Sequence, residues 1–453
     1  MPNYRLLKDA YYGVGGFLNG GYLVKFDRET DKNYQGRQQM AYYANYFANI
    51  VDALVNPIFK KPALRNYDGN GKEYVDTFLE NIDNNETDIS NFMKAAALRA
   101  KLFGAVFIVV DNFREIPSDM ATAIVDRKVP YAYLVDPEYV TNYSLDQFGR
   151  LSKLEFEEHI KSGQNEVSTR KVHMDKQVIE TSVNGSVVSS AQHGLGVVPV
   201  VYFPAVKIGG KQTIQPSSGM EPLAITARVM YNYDSFLEEI LRKQTFSILT
   251  MPTTDKGSLD IGVSNAIAYD PNATNGAKPE FISPPSDPAK VLMDKKISMV
   301  QEMYRMAGLS FVNESAAVVS GVSRQWEFER TNQALAAFAL QCQKAEMSMI
   351  GLFEKWMNID VDYNVEYAKD FGIVDVMSEL QSAQAVLDMN LAAGIKVEVL
   401  KKVMGTYLPD LPSDRYDELV DEAEQEETDQ MHAEPPFPPA TMPPDNEETI
   451  TEE

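Results

Sequence analysis

The chain has 453 residues, 44% of them apolar and 24% charged, with a formal net charge of −23. Those proportions suit a folded protein with one large core or two to three modest ones. No apolar run approaches the roughly eighteen residues of a membrane span, and the acidity argues against tight, sequence-specific nucleic-acid binding, which needs phosphate neutralisation.

Residues 1–35 are rich in Tyr and Gly, as in Tyr11-Tyr12-Gly13-Val14-Gly15-Gly16, with little periodicity. They are expected to form an arm ordered by a neighbour. The opening Met-Pro-Asn-Tyr-Arg-Leu-Leu-Lys-Asp lacks the apolar stretch of a secretory signal. Tyr42, Tyr46, Ile50 and Leu54 recur every fourth residue, which predicts one helix over 38–56. Asp68-Gly69-Asn70-Gly71 has a passing likeness to a calcium loop, but Lys72 stands where a ligand belongs, so it is read as a turn. Thr87-Asp88 caps a helix over 89–102, stopped by Gly104, and 105–110 is a short, wholly apolar strand.

From Pro130 the pattern changes to strands: 131–135, 141–143, 151–158, 167–174 and 178–183 alternate or carry β-branched residues. Turns fall at Asp136-Pro137, Gln147-Phe148-Gly149 and Asn184-Gly185, the last a hairpin signal. The block closes on His193-Gly194-Leu195-Gly196-Val197-Val198-Pro199-Val200. A helix is predicted over 223–246, with a stripe at Ile225, Val229, Asn232 or Tyr233, Phe236, Ile240 and positions on the Tyr231 side, amphipathic but not cleanly so. Short strands at 247–250, 266–269 and 280–282 then lie among Pro and Gly.

Ser286-Asp287-Pro288 supplies an N-cap and a first-turn proline for the next helix, which Gly308 stops. Its apolar positions include Val291, Leu292, Val300, Met303, Met306 and Ala307. After a small-residue loop, Leu309 to Val322, a second helix starts near Ser323 and shows the stripe Leu335, Phe338, Cys342, Ala345, Met349, Leu352 and Trp356. From Ser323 to Met357 it reaches roughly 50 Å at ~1.5 Å per residue. Two long helices joined this way make a beam with a protruding elbow. Cys342 is the single cysteine and sits on the apolar stripe, so it is read as a small buried hydrophobe in a reducing compartment. Beyond, 359–367 alternates like a strand, and 374–400 gives two helices broken at Gly394.

The charge is concentrated at the end. No Lys or Arg follows Arg415, whereas 416–453 holds fourteen acids, leaving 51 acids against 42 bases for the rest. With its prolines, that tail is expected to be disordered. Catalytic motifs are absent. Gly209-Gly210-Lys211 lacks the spacing of a phosphate loop, and there is no Gly-x-Ser-x-Gly elbow. His159, His173, His193 and His432 stand far apart without zinc-ligand spacing. Asp360 and Asp362 are read as solvated carboxylates. No catalytic, cofactor or metal residue is assigned.

This order of elements resembles the portal (head-tail connector) proteins of tailed bacteriophages over roughly Gln38 to Pro409. The resemblance implies an α+β fold and a dodecameric ring at one capsid vertex, through which double-stranded DNA is packaged and ejected. It divides the chain into an N-terminal arm (1–35), a wing (36–215), a stem helix (216–247), a clip (248–287), a second stem helix (288–308) and a tunnel loop (309–322). A long wing helix with a return strand (323–372), a helical crown (373–412) and the acidic tail (413–453) complete it. The clip is short for the family, and the acidic tail is an addition.

The tunnel loop would border the channel with Asn313, Glu314, Ser315, Ala316, Ala317, Ser320 and Gly321. Lys290, Lys295, Lys296, Arg305 and Arg324 either make weak, salt-sensitive phosphate contacts or pair with acids of neighbouring subunits. Implied partners are further copies of the chain, the major capsid protein and scaffold, the terminase large subunit, head-completion or tail adaptors, and DNA in transit without sequence preference. Any packaging ATPase belongs to another protein. The implied setting is the virion and, during assembly, the host bacterial cytoplasm. Two alternatives stand beside this reading: a soluble two-domain enzyme with an unrecognised active site, and another ring or adaptor protein of the same virion.

Overall fold

The computed structural model describes residues 3–113, 122, 127–162, 166–206, 218–245, 248–252, 266–269, 280–282, 287–309 and 321–371, with isolated positions beyond. Two compact units are resolved, 1–371 and 372–453. In the second, the described residues are single helical positions such as Ile395 and Arg415. Apart from such positions, the predicted crown and tail lie outside the described residues.

The helices are α1 (Tyr4–Tyr12), α2 (Asp31–Met40), α3 (Tyr46–Ala53), α4 (Lys72–Glu80), α5 (Ile89–Phe103), α6 (Glu221–Thr245), α7 (Asp287–Met306) and α8 (Gly321–Met357). The strands of the first half are β1 (Leu64–Asn66), β2 (Gly69–Asn70), β3 (Ala105–Asp111), β4 (Tyr131–Val135), β5 (Val140–Leu145), β6 (Leu151–Ser162) and β7 (Glu166–Asp175). Then follow β8 (Val178–Val183), β9 (Ser186–Gln192), β10 (Val200–Pro204), β11 (Ile248–Pro252), β12 (Ala266–Tyr269), β13 (Glu280–Ile282), β14 (Asp360–Val361) and β15 (Asn364–Glu366).

The centre of the α/β part is a three-stranded antiparallel sheet, β10-β3-β4. From Ala105 to Val110 every residue of β3 is buried, because both faces are covered. Val106, Ile108 and Val110 pack with α5 and α8, while Phe107 and Val109 pack with the five-stranded meander β5-β6-β7-β8-β9. A middle layer with two dry faces explains the unbroken apolar run. The stripe read on α8 is the one that faces this core: Cys342 and Met349 are fully buried, with Leu335, Phe338, Ala345 and Leu352 nearly so. Burial pushes the Cys342 thiol up, so it stays protonated and inert.

Local signals set the ends of α5. Asp88 accepts from the Ser90 and Asn91 amides at 2.8 and 3.0 Å, and Gly104 takes a left-handed φ of 89° that a Cβ would oppose. The alternation read at 359–367 holds: Val361, Tyr363, Val365 and Tyr367 are buried between exposed neighbours. It is split into β14, which pairs with β2, and β15, which pairs with β1. Thus the turn at 68–71 closes against residues nearly three hundred positions away.

One buried charge cluster ties these parts together. Glu346 of α8 is fully buried and accepts from Arg65 (Nε at 2.7 Å, Nη2 at 3.2 Å), Tyr363 (2.7 Å) and Tyr367 (2.5 Å). Four donors satisfy the carboxylate, which burial alone would heavily penalise.

The N-terminal third differs from expectation in two places. Residues 3–35 are held by their own chain: Asn3 caps α1, and Leu6, Leu7, Ala10, Phe17 and Leu23 are buried with α3, α6 and α7. Tyrosine hydroxyls add to this apolar packing. Tyr22 donates to Asp9 at 2.6 Å, and Tyr11 donates to Asp52 at 2.7 Å. The single helix predicted over 38–56 is two, α2 and α3, parted at 41–45. Ala41 is extended there, and the Asn45 side chain accepts from the Ala48 amide at 2.9 Å, starting a new helix.

Candidate functional site

The pair α6 and α7 forms the region to which the sequence assigned the stem. Twenty-five and twenty residues long, the two helices pack together and bury Leu223, Ala224, Ala227, Met230 and Tyr231 against Met299, Val300 and Met303. The strands β11, β12 and β13 form a small sheet, with β11 in the middle, in the segment between the two helices. This matches the short strands read there.

The stripe read on α6 coincides with this core only in part. Tyr231 and Asn232 are buried, whereas Ile225 and Val229 are 42% and 36% exposed, and the buried apolar positions are 223, 224, 227, 230 and 231. The helix carries apolar residues on two sides, and the sequence spacing mixed them. On α7, Val291, Met293, Ile297 and Met306 are likewise exposed, at 66, 51, 52 and 43%. Val291 and Met306 of the predicted stripe face solvent, whereas Val300 and Met303 face the core.

Residues 22–40 are fixed along α6 by polar groups the sequence did not flag. Asn232 is saturated: its Oδ1 accepts from the Val24 amide at 2.8 Å, and its Nδ2 donates to the carbonyls of Tyr22 and Arg228 at 3.0 and 2.9 Å. Arg37 is buried, donates to both oxygens of Glu29 at 2.7 Å, and donates to Ser235 Oγ at 3.1 Å and Val24 O at 2.8 Å. Its guanidinium lies over the rings of Phe26, Tyr34 and Phe236 at 4.8, 5.6 and 5.4 Å. An Asn inside an apolar stripe and an Arg among aromatics were the available signals. Beside these residues runs an open groove of about 530 Å³.

The candidate cations separate into different environments. Lys290 and Lys295 are exposed on α7. Lys296 is half-buried, with Nζ 2.7 Å from Asp234 Oδ1 and 5.8 Å from the Tyr42 ring centre. Burial raises the Asp234 carboxyl, and Lys296 opposes that rise. Burial works against the charge on Lys296, but the Asp234 hydrogen bond outweighs it and raises its pKa. Arg305 pairs with Glu302 one turn back, in the open. Both ion pairs are within the chain. Gly321 opens α8, and Arg324 lies in its second turn, its side chain outside the described residues. Asn313, Glu314, Ser315, Ala316, Ala317 and Ser320 also lie outside them. The end of α7 is tied to α8 ten residues past Gly321: Thr331 Oγ1 donates to the Gly308 carbonyl at 2.7 Å.

The other chemistry-bearing side chains sit on the meander. Glu155 meets Lys153 at 2.6 Å, His173 at 3.1 Å and Lys171 at 3.4 Å, and the Lys153 hydrogen bond leads in holding its pKa down at about 2. His173 also faces Asp175 at 3.5 Å, and His193 reaches the Asp175 carbonyl at 3.0 Å. Sequence spacing did not place these two histidines together. Among the described residues no group of three or more His, Cys, Asp or Glu is arranged to hold a metal ion. Among them, too, no helix is long and apolar enough to cross a membrane.

No protein-family model and no curated protein sequence matches the chain. Several solved structures are similar in outline. A chain from the virion of a native gene transfer agent particle is 8% identical, with a TM-score of 0.43, covering 88% of this chain and 99% of that one. A chain from the neck of the native particle, computed with C12 symmetry, is 10% identical with a TM-score of 0.43, covering 80% and 89%. The third is the crystal structure of an HK97-family phage portal protein from Corynebacterium diphtheriae. It is 11% identical with a TM-score of 0.34, covering 76% of this chain and 94% of that one. A phage portal protein is therefore among the structures that this chain resembles.

Proposed function

We infer that the chain is a structural portal subunit: identical copies close into a ring, twelve by the family resemblance, at a unique capsid vertex. Double-stranded DNA would pass through the ring, and the terminase and the adaptor proteins would dock on it. The observation that carries the reading is the second apolar side of α6 and α7. Ile225, Val229, Val291, Met293 and Ile297 stay in solvent after the chain has completed its own core. Apolar side chains ranged along two neighbouring helices mark a surface that further protein covers. Two long helices fixed side by side, with a small sheet between them in sequence and the 309–322 connector beyond them, supply the wall of a channel. The chain's acidity suits a passage that DNA crosses without sticking.

Mass measurement of the purified full chain together with negative-stain imaging tests this. End-on views should show a closed ring with an opening wide enough for duplex DNA. A monomer or dimer at every concentration, with no ring in virions or proheads, would overturn the reading. The connector has its own test. Removing residues 310–320 should leave rings intact and impair DNA packaging or retention, and unchanged packaged-genome length would remove it from the channel.

A further inference from the structure

The groove beside α6 and the exposed flank of α7 have matching chemistry on different parts of one chain. The groove is lined by Tyr22, Leu23, Arg228, Val229, Tyr233 and Phe236, among others, and holds about 530 Å³. Its buried amide, Asn232, is fully engaged by its own chain. What it offers a visitor is therefore apolar wall plus one guanidinium, since Arg228 forms no ion pair among the described residues. On α7, Met293 and Ile297 lie one turn apart, each about half exposed. Between them in sequence stands Asp294, exposed and likewise without an ion pair among the described residues.

We propose that the groove beside α6 of one copy receives the Met293–Ile297 flank of α7 from the next copy, with Arg228 facing Asp294 across the seam. The proposal rests on the ring reading above and specifies which surfaces mate. A second copy is the occupant because the complement, two apolar knobs beside an acid, is carried by this same chain. Groove and flank are different surfaces, so each copy uses one on either side. Such a head-to-tail contact repeats around a ring, whereas a surface that matched itself would stop at a dimer. The Arg–Asp pair, enclosed by apolar side chains, fixes the register more than it adds affinity.

The test is cross-linking of the full chain carrying Val229→Cys with Ile297→Cys. Tyr233→Cys with Met293→Cys serves as a second pair, so that the result does not hang on one register. All four positions are at least partly exposed, and the native thiol of Cys342 is buried. Under mild oxidation the paired variants should give a ladder of covalent multimers on non-reducing gels, and each single variant should give none. Dimers from Val229→Cys alone would mean groove meets groove and would overturn the proposal. Rings in images with no ladder from either pair would overturn the seam and leave the ring reading standing, and the absence of rings removes both. In addition, Arg228→Glu should disperse the assembly, and adding Asp294→Arg should restore it. Wild-type assembly by Arg228→Glu, or no restoration by the folded double variant, would overturn the pairing.

Discussion

Two long helical regions of the molecule treat their apolar residues in opposite ways. Along α8 the described stripe from Leu335 to Phe353 is consumed by the chain itself, and a charge is buried within it. Along α6 and α7 one side is consumed and another is left in solvent. The contrast separates residues that hold the chain's own core from those proposed to meet other copies: altering the first costs stability, altering the second should not.

The strongest way to break that contrast lies on α8. Glu346→Ala should cost about 3–5 kcal/mol in denaturant unfolding, because it takes their shared acceptor from the largely enclosed Arg65 guanidinium and two tyrosine hydroxyls. A cost below about 1 kcal/mol would show that water reaches the cluster. Next, within α7, Met303→Ala removes a fully buried side chain and should cost about 2–5 kcal/mol by the same measurement.

A smaller, pH-dependent effect belongs to the meander. Glu155 has its pKa lowered from 4.5 to about 2, chiefly by Lys153, so it adds stability above pH 4.5 that is lost as pH falls toward 2. In Glu155→Gln that contribution should vanish, and the melting temperature should fall less steeply across this window than in the wild type. Equal slopes would place the acid sensitivity elsewhere. The smallest effect is expected for Ile297→Ser, on the same helix as Met303. Thermal unfolding of the dispersed chain should shift by less than about 0.5 kcal/mol equivalent, while ring yield drops. A large loss of stability would mean that α7 has no free side.

Much of the frame was legible because its signals are local. Asp88 and Gly104 bracket α5, the dry run 105–110 announces a strand covered on both faces, and the three-and-four spacing from Leu335 to Trp356 finds the buried side of α8. The α6 stripe misled in part, for a physical reason. Spacing detects apolar residues on one side of a helix without telling whose core they serve, and Ile225 and Val229 belong to no core cluster among the described residues. The N-terminal segment escaped for another reason. Besides its apolar packing on α3, α6 and α7, it is held by Tyr22 on Asp9, Arg37 on Glu29 and, 208 positions apart, Asn232 on Val24, contacts that no periodicity encodes. Within the candidate site, Lys296 was visible as a cation, but its partner Asp234 was not, since the pairing depends on how α6 and α7 lie together.

The hydrogen bond from Thr331 to the Gly308 carbonyl has an engineering consequence. It closes a span, 309–330, that takes in the connector and the first ten residues of α8, and both ends of that span are held. Foreign sequence spliced between them would meet a fixed doorway, and each doubling of its length adds only about 0.6 kcal/mol of closure entropy. The connector is thus open to replacement, and a library of lengths and charges inserted there would test the proposed channel role without rebuilding the rods behind it.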